Sequence, residues 1–240
     1  MYLLLSLVAM CALAAALRNF IMKAPWLFYL IALLFDVVLF AQSALSLPSS
    51  ANIAITHTMM RGNLGVAMFI VVMYIGVLPR DGKLSKWFRP IRAELSIIAC
   101  ILIMGHMLVH LGSYIPSWLA GGISQSNVIV ALVIALALTV LIVLLGVTSF
   151  RFVKKHMKAR SWKKLQTLAY PFYGLVFVHL MLMLGPAAMH ASSSAVISVA
   201  LYCIIFVGYM ILRIARAIVD KREKVDLAET VKDQGFEQVE

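Results

Sequence analysis

The stretch LSIIACILIMGHMLVHLGSYI, residues 95–115, decides the class of this protein. It holds no Asp, Glu, Lys or Arg, and it is long enough for one membrane crossing. A helix rises about 1.5 Å per residue, so roughly 20 apolar residues cross a hydrocarbon layer of about 30 Å. Six further apolar runs flank it, at 2–17, 26–47, 64–78, 127–149, 168–186 and 194–212. The third is short and starts after Gly62, with room to extend back to Thr58. The first lacks the basic start of a signal peptide and reads as a retained helix.

Composition agrees. Of 240 residues, 63% are hydrophobic and 13% charged. A soluble domain carries about 45–50% apolar and about 25% charged residues, and a core of this size has no place for the excess. The expected fold is an all-α integral membrane bundle of about seven helices. It divides into an extra N-terminal helix and turn over 1–25, a six-helix core over 26–212, and a tail over 213–240. This length leaves no room for a soluble catalytic domain, so a flavin or dehydrogenase domain is expected on a partner protein. Cys11, Cys100 and Cys203 lie in apolar runs and read as small packing residues, with no zinc or disulfide spacing.

The 21 basic and 10 acidic residues give a formal charge of +11. The basic residues lie in alternate connections: Arg18 and Lys23, then Arg80 to Arg92, then Arg151 to Lys164, then Arg213 and Arg216. The other connections hold only Arg61. This is a positive-inside pattern, and it places the N-terminus outside and the C-terminus in the cytoplasm of a bacterial membrane. It explains the charge without nucleic acid. The tail is expected to continue as a helix through IARAIVDKREKV and to fray over the polar DLAETVKDQGFEQVE.

Histidines inside the membrane carry the chemical signal. His57 and His190 sit near expected outer ends and His156 in a basic loop, whereas His106, His110 and His179 fall inside apolar runs. A polar side chain there is costly unless satisfied, and marks a candidate site. His106 lies 11 residues past Leu95, and His179 lies 11 past Leu168. Both are therefore about 17 Å deep. One imidazole from each of two helices at matched depth suits the iron of a six-coordinate haem. His110 is one turn further out on the face of His106, some 6 Å away. Gly105, Gly112, Gly174 and Gly185 would allow close approach of a helix or a flat ring. The alternative is a haem-free transporter or accessory subunit, with the histidines and Asp36 forming a buried polar site. Asp36, near the middle of segment two, is expected to be neutral or hydrogen-bonded, and a proton route is one reading of it. Arg61 and His57 could face a haem propionate or anchor the chain at the interface. No C-x-x-C-H motif for a c-type haem is present.

RAELSIIACILIMGH, residues 92–106, resembles the helix of ferric-reductase-like transmembrane haem domains that opens on a basic residue and reaches a haem-binding histidine. RGNLGVAMFIVVMYIGVLP resembles the preceding helix of that family. TSFRFVKKHMKARSWKKLQTLAYPFYGLVFVH resembles its signature region through Thr148, Ser149, Arg151, Trp162, Leu165, Tyr170 and His179. Within the family the likeness is greatest to the haem-bearing membrane subunits of bacterial periplasmic methionine sulfoxide reductase systems. The resemblance covers about residues 62–185. It implies a haem b held by His106 and His179, and electron transfer to an extracytoplasmic acceptor such as a partner oxidoreductase. The donor would be membrane quinol or a cytoplasmic flavin reductase. The family's other histidine of the late pair is replaced by Gln166, thirteen residues before His179, and segment four has no histidine on its inner turns. One haem rather than two is expected, with His110, Arg61 and Gln166 as further cofactor-contact candidates.

Overall fold

The computed structural model describes residues 2–190 and 192–236, with side chains through residue 223. Every regular element among the described residues is helical. The chain opens with α1 (Tyr2–Ala16), α2 (Arg18–Lys23) and α3 (Pro25–Ala41). Next comes α4 (Ser49–Ile55), which widens into a π-turn at Thr56–Met60, and then α5 (Asn63–Ile75). After α6 (Lys83–Phe88) and a 3-10 turn at Arg89–Ile91 runs α7 (Arg92–Leu119). The second half holds α8 (Ser126–Ser149), α9 (Arg151–His156), α10 (Ala159–Gln166), α11 (Ala169–Met189) and α12 (Ser193–Phe236).

Four helical segments are long and apolar enough to cross a membrane: Lys83–Leu119, Ser126–Ser149, Ala159–Met189 and Ser193–Glu223. Ser49–Met60 and Asn63–Ile75 meet at a 45° bend and together make a fifth. α1 and α3 are apolar but shorter. Backbone bonds from Leu17 to Leu13 and from Ile21 to Leu17 carry the helical path from α1 into α2. The protein is therefore all-α, with several membrane-length helices.

The core forms around α5. Its residues are apolar on every side, and a helix of that pattern must be surrounded. Nearly all of it is buried, with α1 and α7 packed against it. α7 packs on α8, α8 on α11, and α11 on α12, which returns to touch α5. These five helices close a ring, with α3 outside against α7. α7 and α11 both pack on α8 and are not a packed pair themselves. Outward-facing Val140, Val143, Val178, Ile204 and Ile211 are all exposed. Apolar surface on that scale is at home in lipid rather than water.

Several boundaries differ from the sequence reading. α3 ends at Ala41 rather than 47, and α4 with its π-turn occupies a stretch taken as a connection. The basic connections fold into α6, α9 and α10. In α10, ARSWKKLQ puts Trp162 inward, where its Nε1 donates to the Thr148 carbonyl at 3.0 Å. α12 runs on to Phe236, so residues 226–236 continue the helix instead of fraying. Extending an existing helix avoids the cost of nucleating one. The last four residues of the expected tail lie outside the described residues. Nearer the bundle on α12, Asp220 pairs with Arg216 at 2.8 Å and with Arg80 of the α5–α6 connection at 3.6 Å.

Candidate functional site

The break between α4 and α5 builds one side of the site. Gly62 takes φ +69°, a left-handed conformation that glycine adopts without strain. It turns the chain just after the π-turn, so the Met60 carbonyl is not used up inside a continuous helix. His106 Nδ1 lies 2.7 Å from that oxygen, and His110 Nε2 lies 2.9 Å from it. A Cβ on Gly62 would stand 3.1 Å from Cγ of His106, so the turn sits directly against the imidazole. The two rings meet edge to face with centroids 4.6 Å apart.

The other side is α11. His179 Nδ1 lies 3.1 Å from the Ala131 carbonyl of α8. A carbonyl only accepts, so the ring nitrogen facing it carries the proton. His106 and His179 are thereby both held as Nδ1–H tautomers with the Nε2 lone pair free. His110 is held the opposite way, with Nε2 donating. Metal-bound histidines commonly donate their second ring N–H to a backbone carbonyl, which fixes orientation and raises basicity. All three have such a bond; His106 and His179 keep Nε2 free for a ligand role, whereas His110 keeps Nδ1.

His106 and His110 lie together on α7, and His179 comes from α11. They are not level when counted from the helix starts: His106 follows Arg92 by 14 residues (106 − 92), and His179 follows Ala169 by 10 (179 − 169). α7 begins about a turn before its apolar run, which accounts for most of the difference. A Cβ added at Gly112, Gly174 or Gly185 meets nothing within 4 Å. Among the described residues these three glycines therefore serve no helix contact, and Gly112 and Gly174 lie exposed. Gly105 does: a Cβ there would run into the carboxylate of Asp36 on α3. Asp36 is buried, and its Oδ1 has no hydrogen-bond partner. Among the described residues no group of three or more His, Cys, Asp or Glu side chains is arranged to hold a bare metal ion.

The remaining candidates lie apart. The Arg61 side chain is exposed beside the π-turn. His57 stacks on Tyr2, with ring centroids 4.1 Å apart. Gln166 donates from Nε2 to the Thr148 hydroxyl at 3.1 Å, which ties it to α8. About two turns before His179, roughly 10 Å along α11, the interior is filled by aromatic rings. Phe172 meets Phe69, while Tyr173 stacks on Phe206 and meets Tyr209 edge-on.

A second polar cluster escaped the sequence reading. Glu94 is 3% exposed near the start of α7, accepting from the Tyr29 hydroxyl and from Arg151 at 2.7 and 3.1 Å. The three border a cavity of about 240 Å³ with Pro25, Ile97 and Phe150. Glu94 reads in sequence as part of a charged helix boundary, next to Arg92. Nothing local shows that it turns inward to meet Arg151, which lies 57 residues away.

The chain is similar to an uncharacterized protein of Treponema pallidum (strain Nichols), with 37% identity over 163 residues. The match covers 68% of this chain and 45% of the relative, so the chain spans less than half of that protein's length. No protein-family profile matches the chain. No solved structure matches it.

Proposed function

We propose that this protein is a membrane electron-transfer subunit that holds one haem b between His106 of α7 and His179 of α11. The observation that carries the reading is the shared tautomer of these two residues. Each donates from Nδ1 to a backbone carbonyl and keeps Nε2 free. They come from two helices that both pack on α8 and are not a packed pair themselves. The resemblance to ferric-reductase-like haem domains points the same way.

When bound, the haem supplies one-electron redox chemistry. The chain's own residues do the rest. His106 and His179 hold and orient it, the Met60 and Ala131 carbonyls set their basicity, and the apolar helices exclude water. Gln166 is engaged with Thr148, and aromatic rings fill the bundle on that side of His179, which favours a single haem. The donor is membrane quinol or a cytoplasmic flavoprotein that carries its own flavin. The acceptor is an extracytoplasmic oxidoreductase. The chain crosses a bacterial cytoplasmic membrane seven times, N-terminus outside and C-terminus inside. α1 with α2, α3 and the bent α4–α5 pair provide the spans beyond the four long helices.

A haem-free polar pathway is the second reading. The observation that favours it is Asp36, a buried carboxylate with an unpartnered oxygen against Gly105, one residue from His106. An absorption spectrum of the purified protein separates the two. Sharp reduced α and Soret bands, with one haem per chain by pyridine haemochrome, are expected. Their absence from protein produced with ample haem would favour the polar pathway.

A further inference from the structure

The Met60 carbonyl can fix two imidazoles only if the π-turn that presents it is itself held. Three contacts hold it. Buried Asn63 donates from Nδ2 to the His57 carbonyl inside the turn, at 2.7 Å. Tyr202 of α12, also buried, donates its hydroxyl to Asn63 Oδ1 at 3.0 Å. From the far side, Gln42 Nε2 reaches the Thr56 hydroxyl at 3.3 Å. The chain of contacts thus runs from α12, through Tyr202 and Asn63, into the π-turn, and from Met60 to His106. Both amide groups of Asn63 are used, one toward each neighbour. A buried amide satisfied on both sides specifies a single position for the groups it joins.

We propose that Asn63 and Tyr202 are positioning residues for His106, acting through the Met60 carbonyl to hold it as the Nδ1–H tautomer with Nε2 free. This rests on the haem reading for its redox consequence, but the tautomer is a property of the chain alone. Loss of the Tyr202 hydroxyl releases one side of Asn63, lets the turn relax, and weakens the bond from His106 Nδ1 to Met60. His106 then becomes a less basic ligand. A less basic ligand stabilises ferric iron less than ferrous iron, so the haem potential rises.

The test uses full-length protein in three variants. Tyr202→Phe and Asn63→Leu break the clamp. Tyr173→Phe is the control: it removes a hydroxyl from the same aromatic cluster, one that is buried without a partner. Ferric-haem retention should fall about 10-fold in the two clamp variants, a size usual for groups that orient a metal ligand. Their midpoint potential should move upward and their low-spin electron-paramagnetic-resonance g-values should shift, while Tyr173→Phe stays at wild type. Wild-type retention, potential and g-values in both clamp variants would overturn the proposal, as would an equal change in the control. Histidine ¹⁵N spectra of haem-free protein, assigned with His106→Ala, give an independent readout. The His106 Nδ1–H signal should be present in wild type and depleted in Tyr202→Phe. If the wild type binds no haem, the functional reading fails, and this signal alone decides the clamp: depletion upholds it, and no change overturns it.

Discussion

A polar atom in an apolar helix must find a partner, and at the residue scale each such partner is a different kind of object. His106, His110 and His179 found backbone carbonyls. Glu94 found a phenol and a guanidinium. Asp36 found a glycine-lined niche and left one oxygen unpaired. The Glu94 cluster gives a prediction about stability. Arg151→Ala leaves a buried carboxylate with Tyr29 as its remaining side-chain partner. Because the Arg151 side chain is 76% exposed, water replaces part of what is lost. The expected cost is about 1–2 kcal/mol by thermal unfolding in detergent. Glu94→Gln should cost less than Arg151→Ala, since the amide is neutral and its oxygen still accepts. A larger loss in Glu94→Gln would mean that the charge itself, not the satisfaction of the carboxylate, holds α3, α7 and α9 together.

The histidines were legible in the sequence for the same reason that they are costly: an imidazole in a charge-free run stands out against its neighbours. Their partners were not legible. Met60 contributes a main-chain oxygen, which any residue carries, and only the break at Gly62 frees it. Glu94 was hidden by its position beside Arg92, where a charge looks like an ordinary helix end. Gly105 was read as a point of close approach, and the structure gives it the Asp36 carboxylate as its neighbour.

At the scale of elements, the contact between α3 and α7 depends on that glycine. Gly105→Ala would drive a Cβ into Asp36, and overpacking of this kind costs roughly 1–3 kcal/mol. The double variant Gly105→Ala with Asp36→Ala should recover most of the loss, because the two residues share one space and their effects cannot add. Unfolding temperatures of the two single variants and the double variant measure this directly. Strict additivity would show that the α3–α7 contact does not turn on this pair. The apolar runs located all the long helices, since hydrophobic length is a one-dimensional property. The π-turn, the short helices in the basic connections and the part of α12 beyond residue 225 are not legible there, because each depends on packing or on an adjoining helix rather than on local apolar content.

Across the whole molecule, the ring of α5, α7, α8, α11 and α12 sets α7 and α11 on either side of α8. The positive-inside pattern of the basic connections predicts how that ring sits in a membrane. Reporter fusions after Lys155 and Glu240 should read cytoplasmic, and a fusion near Ser124 should read extracytoplasmic. An extracytoplasmic signal at Lys155 would reverse the proposed direction of electron flow. The central claim is the ligand pair, and the most direct measurement is the reduced absorption spectrum, with haem content, of wild type and three single variants. The account predicts one low-spin haem b per chain in wild type. His106→Ala and His179→Ala should each lose the low-spin signature, and His110→Ala should keep it. Low-spin haem that survives His106→Ala and disappears in His110→Ala would contradict the pair, and a wild-type chain that takes up no haem would contradict the function.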